Sequence, residues 1–163
     1  MFKLAEGYHT FAAMLGELTK KEIEEVLTSN VVGRIGCTSR QKVYVVPVTY
    51  AYDGESIIGH TVQGMKIEIL RENPECCFEV DIVKDLSDWE SVIVWGTFEE
   101  LEGADARKAS DFFINRIAPV IPDEASESRR MGPLPTGRRA TFEKNPIVYR
   151  IRIKEKSGRF ERR

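Results

Sequence analysis

The stretch HTVQGMKIEILRENP, from His60 to Pro74, holds the side chains best suited to chemistry in this chain. It reads as a strand end, a turn bearing a glycine, and a short helix. A residue before proline is pushed out of helical dihedrals, so Asn73-Pro74 marks the helix stop. Ile67 and Leu70, three apart, supply the helix's inward face. Lys66 then falls in the first turn, where the helix dipole disfavours a cation by about 0.3–1 kcal/mol. An anion held between Lys66 and the free N–H groups of that turn reverses the penalty. Thr61 offers a hydroxyl from the preceding strand, and phosphate is the anion such a set suits. A solvated lysine on a helix surface is the competing reading. His60 is one of two histidines, the other being His9, which excludes a multi-histidine metal site. It is equally suited to a structural place in its strand and to a ligand contact.

Other residues carry weaker signals. Pro47 interrupts an otherwise good strand and cannot donate to a ladder, so it marks a strand edge or a place where a flat group approaches. Ser91 alternates with Ile93 and Trp95 on one strand face. Trp89 and Trp95 are suited to covering an aromatic ring, or to packing and subunit contacts. Arg129, Arg130, Arg138 and Arg139 form two basic pairs in a segment, 119–145, rich in proline and without periodicity. Such a segment reads as a binding loop or a solvated one. There is no Walker loop, no G-x-G-x-x-G and no C-x-x-C. No carboxylate pair stands out for acid–base work, and no residue is singled out as catalytic.

The elements that position these residues follow from the pattern. Thr19-Lys-Lys-Glu22 is a capping box that opens a helix running to about Ser29. Strands are expected at Val31–Cys37 and Val43–Tyr52, then, after a hairpin turn at Asp53-Gly54, at Ser56–Thr61. Further strands follow at Cys76–Ile82 and Ser91–Leu101. Ala106, Ala109, Phe112, Phe113 and Ile117 mark a longer helix. A last strand, Pro146–Lys154, alternates: Ile147, Tyr149, Ile151 and Ile153 inward, Val148, Arg150, Arg152 and Lys154 outward. Strands predominate, which favours a closed or nearly closed antiparallel sheet over a doubly wound one. Val43–Tyr50 is apolar on both faces, so its second face needs a ligand or a partner subunit as cover.

With 163 residues the chain fits one domain, 1–163, and its net charge of −2 gives no general attraction to nucleic acid. No apolar run reaches the roughly 20 residues needed to cross a bilayer. The N-terminus lacks a secretion signal, so a cytoplasmic protein is expected. Cys37, Cys76 and Cys77 are odd in number. Cys76 and Cys77, being neighbours in a strand, point to opposite faces, so buried free thiols are expected.

In this order the segments GRIGC, YVVPVTYAYDG, HTVQGMKIEILRENP, CFEVD, WESVIVWGTFEEL and YRIRIKEKSGRFE resemble the FMN-binding split-barrel family of pyridoxamine 5′-phosphate oxidases. The likeness is nearer to its small flavoproteins of the nitroimidazole-resistance type. The resemblance implies a six-stranded antiparallel split β-barrel with a few short helices, and a homodimer with FMN at the subunit interface. It places the flavin ring along the backbone of Val46, Pro47, Val48 and Thr49, and the phosphate against His60, Thr61 and Lys66. It also puts Ser91 at a position where relatives contact the flavin through a polar side chain. The oxidases carry an Arg-Lys pair at the phosphate; here the pair is Met65-Lys66, one cation fewer. Their C-terminal substrate-binding residues have no match, so pyridoxine metabolism is not implied. The expected function is an FMN-dependent oxidoreductase reducing a small acceptor such as a nitro compound, a quinone or a second flavin. A non-catalytic flavin or haem binder, with His60 as axial ligand, and a deazaflavin in place of FMN are the alternatives. Nucleic-acid binding through the arginine pairs is a further, lesser one.

Overall fold

The computed structural model describes residues 14–40, 42–120 and 146–163. Thr19 caps the first helix, α1 (Lys20–Ser29): its hydroxyl accepts from the Glu22 amide while the Glu22 carboxylate accepts from the Thr19 amide at 2.8 Å. These hydrogen bonds, with Arg162 nearby, hold the Glu22 carboxyl down at about 2. Preceding it is a short strand, β1 (Met14–Glu17), which has no counterpart in the sequence reading. The following strands are β2 (Val32–Ser39), β3 (Lys42–Thr49), β4 (Ala51–Tyr52) and β5 (Ser56–Thr61). Then come α2 (Met65–Glu72), β6 (Glu75–Asp85), β7 (Asp88–Glu100), α3 (Gly103–Ile117) with a 3-10 turn at Ala118–Val120, and β8 (Ile147–Arg162).

All strand pairs are antiparallel, in the order β3-β2-β6-β7-β8-β5-β4, with β1 on the far stretch of β8. Six strands, β2, β3 and β5–β8, build the wall; β1 and β4 are short additions, four and two residues long. The end strands of this six-stranded wall, β3 and β5, approach each other without a ladder between them. That gap makes the barrel split.

Inward side chains alternate along each strand as the pleat requires. Ile35, Phe78, Val80, Val92, Val94, Tyr149 and Ile151 fill the barrel, and Leu27 of α1 with Ile67 and Leu70 of α2 join the same cluster. Burying each such side chain contributes about 1.5–3 kcal/mol before the entropy of ordering is counted. Helix α3 lies outside the barrel and makes a second, smaller core from Ala109, Phe113 and Ile117 against Ile58 and Val148.

Three local expectations are corrected. The strand expected to run from Val43 to Tyr52 breaks at Tyr50, whose hydroxyl donates to the Leu27 carbonyl and whose amide donates to Val31. These bonds turn the chain into the core. Val148 does face away from the barrel, but α3 covers it and it is buried. Phe112, one of the apolar residues that mark α3, is 40% exposed, while Phe113 takes the packed position. Finally, the last strand continues to Arg162, eight residues beyond the expected end, since β7 supplies a partner along its length.

Candidate functional site

Helix α2 is held by Ile67 and Leu70, which are 0% and 1% exposed, and by the Asn73 amide returning to Ile69. Its N-cap is Gly64, which offers no side-chain oxygen. Ile67 donates to the Gly64 carbonyl at 2.9 Å, and among the described residues the amides of Met65 and Lys66 keep their capacity to donate. Lys66 occupies the second helical position and is half-buried. Its Nζ lies 5.7 Å from the centre of the Tyr149 ring, so the side chain folds inward over the barrel end. Burial pushes the ammonium's pKa down, opposed by the Cys37 thiol. Among the described residues it has no carboxylate partner. A cation that is half desolvated, unpaired and set beside free amides is a site for an anion.

Thr61 ends β5, on the same side of the turn, and its hydroxyl donates only to the neighbouring Val62 carbonyl, at 3.3 Å. His60 is turned the other way. Its ring stacks on Phe113 of α3, with centroids 4.5 Å apart and planes at 16°. Both ring nitrogens are buried and find no partner among the described residues. Burial lowers the histidine's pKa, which favours the neutral ring. His60 thus lies on the α3 side of the sheet, and strand alternation sets Thr61 on the opposite face. Met65 is 60% exposed at the helix start.

Strand β3 is the free edge of the sheet, so one line of its backbone groups has no strand partner. Pro47 sits on that edge, where its missing N–H costs least. Val46 and Val48 lean on the barrel core, whereas Pro47 and Thr49 are exposed on the outer face. Pro47 opposes Arg34 on β2, Arg34 opposes Glu79 on β6, and Glu79 opposes Ile93 on β7. Ser91 is next along β7, three strand steps from β3 and hence about 14 Å away. One chain alone does not bring Ser91 to the backbone of Val46–Thr49.

On this outer face the sequence reading missed a polar cluster. Arg34 bridges Glu79, at 3.3 Å, and Asp81, while the Ser91 hydroxyl donates to Glu79 at 3.0 Å. The alternation of Glu79 and Asp81 in CFEVD was visible, but their convergence on Arg34 depends on pairing between strands far apart in sequence. Beside the cluster lies an apolar depression of about 280 Å³, lined by Gly36, Val43, Val45, Cys77 and Trp95 among others. Trp89 donates its indole N–H to Glu161 and serves packing. The arginines 129, 130, 138 and 139 lie outside the described residues, as does His9. Among the described residues no group of three or more His, Cys, Asp or Glu could hold a metal ion, and no helix is long and apolar enough to cross a membrane.

A split antiparallel barrel of this strand order defines the class. A family model described as pyridoxamine 5′-phosphate oxidase matches residues 19–160, and the chain belongs to that family. The solved structure of an FAD-binding protein from Mesorhizobium loti is 28% identical, covering 93% of this chain and 99% of that one, with a TM-score of 0.73. The fold is shared with a candidate 5-nitroimidazole antibiotic resistance protein from Bacteroides thetaiotaomicron, 19% identical over 91% of this chain and 89% of that one, TM-score 0.67. It is shared too with an FAD and heme binding protein from Mycobacterium smegmatis, 15% identical over 87% of this chain and 71% of that one, TM-score 0.64. A curated relative, an uncharacterized protein of Rhizobium meliloti (strain 1021), is 29% identical over 84 residues, 52% of this chain and 56% of its own length. The match thus spans little more than half of that relative.

Proposed function

We propose that this chain is a flavoprotein that binds FMN and works as an oxidoreductase on a small acceptor. The observation that carries the reading is Lys66: inward, half-buried, unpaired among the described residues, and at an uncapped helix start. Family membership and the FAD-binding relative from Mesorhizobium loti support a flavin as the owner of the anion. A bound flavin supplies the redox chemistry, taking up a hydride and passing electrons on. Lys66, Thr61 and the first amides of α2 would hold the phosphate. The unpaired backbone of β3 around Val46–Thr49 would meet the polar edge of the ring. With Met65 where the oxidases carry arginine, one cation does the work of two.

A homodimer completes this reading. Val43 and Val45 are 73% and 60% exposed beside Trp95 at 42%, an apolar face that a second copy would cover. Ser91, too far to serve its own chain's β3, would then reach the flavin of the partner. Among the described residues no group near Lys66 is poised as an obligatory acid or base, which suits direct reduction of a quinone, nitro compound or second flavin. The haem reading gains no support at His60, whose nitrogens are shut behind α3.

The test is the spectrum and mass of what co-purifies, followed by reduction assays with nicotinamide donors and those acceptors. A flavin spectrum, a mass equal to FMN and turnover of an acceptor are expected. Purification with a Soret band, or with no binding of added flavin, overturns the reading. A bound flavin without turnover leaves the non-catalytic carrier.

A further inference from the structure

Cys37 on β2 and Cys76 on β6 are directly opposed in the antiparallel register. Both side chains enter the barrel side of the wall, where the residues are 1% and 7% exposed. Opposed residues of an antiparallel pair have Cα atoms about 4.5 or 5.5 Å apart. Either spacing lies within the range of about 4.4–6.8 Å that a disulfide spans. Since the two already share a face and a row, a cross-link needs no slip of register.

In the present state the sulfurs are turned apart. Cys37 Sγ is 3.8 Å from the Tyr44 carbonyl oxygen on β3, and Cys76 Sγ is 3.6 Å from the Gly96 carbonyl oxygen on β7. Thiols are weak donors, and these contacts hold each sulfur only loosely in one of its staggered positions. Rotation of both χ1 angles swings the sulfurs toward each other. Both residues also border the outer-face depression, together with Gly36, Thr38 and Glu75, so only the thickness of the sheet separates their sulfurs from solvent there. Cys77 is excluded from the pair. It lies on the opposite face, with its Sγ over Gly36.

We propose that Cys37 and Cys76 form a reversible intramolecular disulfide when the protein meets hydrogen peroxide. The Cys37 thiolate attacks one peroxide oxygen and the O–O bond breaks, leaving a sulfenic acid on Cys37 and, after protonation, one water. The Cys76 sulfur then attacks Cys37 Sγ, the S–O bond breaks, and the departing hydroxyl leaves with the Cys76 proton as a second water. Two thiols lose two electrons and two protons in all, and the peroxide takes up both. Burial pushes both thiols up, Cys76 to about 12, and Lys66 opposes the rise at Cys37, so Cys37 goes first. Reactivity follows thiolate population, so the cross-link forms slowly at neutral pH and faster in alkali.

The experiment treats the purified full chain with hydrogen peroxide, removes the excess with catalase, and denatures and alkylates with iodoacetamide. Intact mass and a non-reducing peptide map follow. Of the three cysteines, Cys77 alone is expected to alkylate. The peptides of Cys37 and Cys76 should run joined, two hydrogens lighter, and separate on addition of dithiothreitol. The C77A chain should pass from two alkylated thiols to none, and C76A should lose the cross-link. Three alkylated cysteines after treatment, oxidation confined to Cys77, or linkage between chains through Cys77 overturns the proposal. The C77A result keeps it falsifiable should C76A fail to fold.

Discussion

Lys66 and Tyr149 meet at the barrel end, Nζ 5.7 Å from the ring centre, and neither has a polar partner among the described residues. The ammonium rests on the aromatic face, an interaction worth about 0.5–2 kcal/mol depending on desolvation. That is less than a charge-assisted hydrogen bond to a phosphate oxygen provides, at about 1.5–3 kcal/mol. An anion arriving at the proposed site would therefore draw Lys66 off the ring.

Replacing Lys66 separates binding from stability. Lys66→Met keeps the aliphatic stem and removes a half-buried charge, so the apoprotein should be as stable as the parent within about 1 kcal/mol. FMN affinity should fall by roughly 10–100-fold. Lys66→Ala should go further and release cofactor during purification. Urea titrations and flavin fluorescence check the two halves; an unchanged affinity for FMN removes Lys66 from the site.

Gly59 and Tyr149 oppose each other on β5 and β8, and the tyrosine ring lies across the glycine. A Cβ at Gly59 would come within 2.4 Å of the ring. Gly59→Ala should cost about 1–3 kcal/mol or more through overpacking. Tyr149→Phe should be neutral or stabilising by up to about 1 kcal/mol, because the buried hydroxyl makes no hydrogen bond among the described residues. A smaller partner, as in Tyr149→Leu, should recover part of the Gly59→Ala loss. Denaturant midpoints of the two singles and the double report the coupling.

Acid should loosen α3 through His60. Its folded pKa is lowered from 6.5 by burial, so below about 6.5 the unfolded chain takes up a proton that the folded one resists. Stability therefore falls as pH drops from 6.5 toward the folded value, and is unaffected by this group above 6.5. His60→Phe preserves the stack on Phe113 and should flatten that part of the profile. A melting temperature that keeps the same slope in the variant rules out His60 as the cause.

The outer face should respond to charge. Val45→Glu places a carboxylate in the apolar face beside Val43 and Trp95 without disturbing the barrel interior. Sedimentation should show a monomer where the parent is a dimer, and flavin affinity should drop with it. A parent that sediments as a monomer contradicts the shared site.

Local signals in the sequence located several elements to the residue. Thr19 and Glu22 fixed the start of α1, Asp53-Gly54 the turn before β5, and Asn73-Pro74 the end of α2, each through chemistry confined to a few neighbours. Gly54 adopts a φ of 99°, the left-handed region its type permits. The far half of β8 lay outside the alternating pattern, which stops at Lys154, and only the resemblance of YRIRIKEKSGRFE reached it. In the fold, Gly158 is pressed against Leu18 and Ile23, where a Cβ would fall 2.8 Å from Leu18 Cδ1. Likewise Val148 reads as exposed until α3 lies over it. The position of Lys66 was legible; its inward path over Tyr149 was not, since that residue lies more than eighty positions away. The same holds for Arg34 with Glu79 and Asp81, and for Cys37 opposite Cys76.

Titration of the apoprotein with FMN and with riboflavin, which lacks only the phosphate, tests the anion site at Lys66 most directly. FMN should bind at least about tenfold more tightly than riboflavin, and Lys66→Met should erase the difference. Equal affinities for the two flavins in the parent protein would contradict the account.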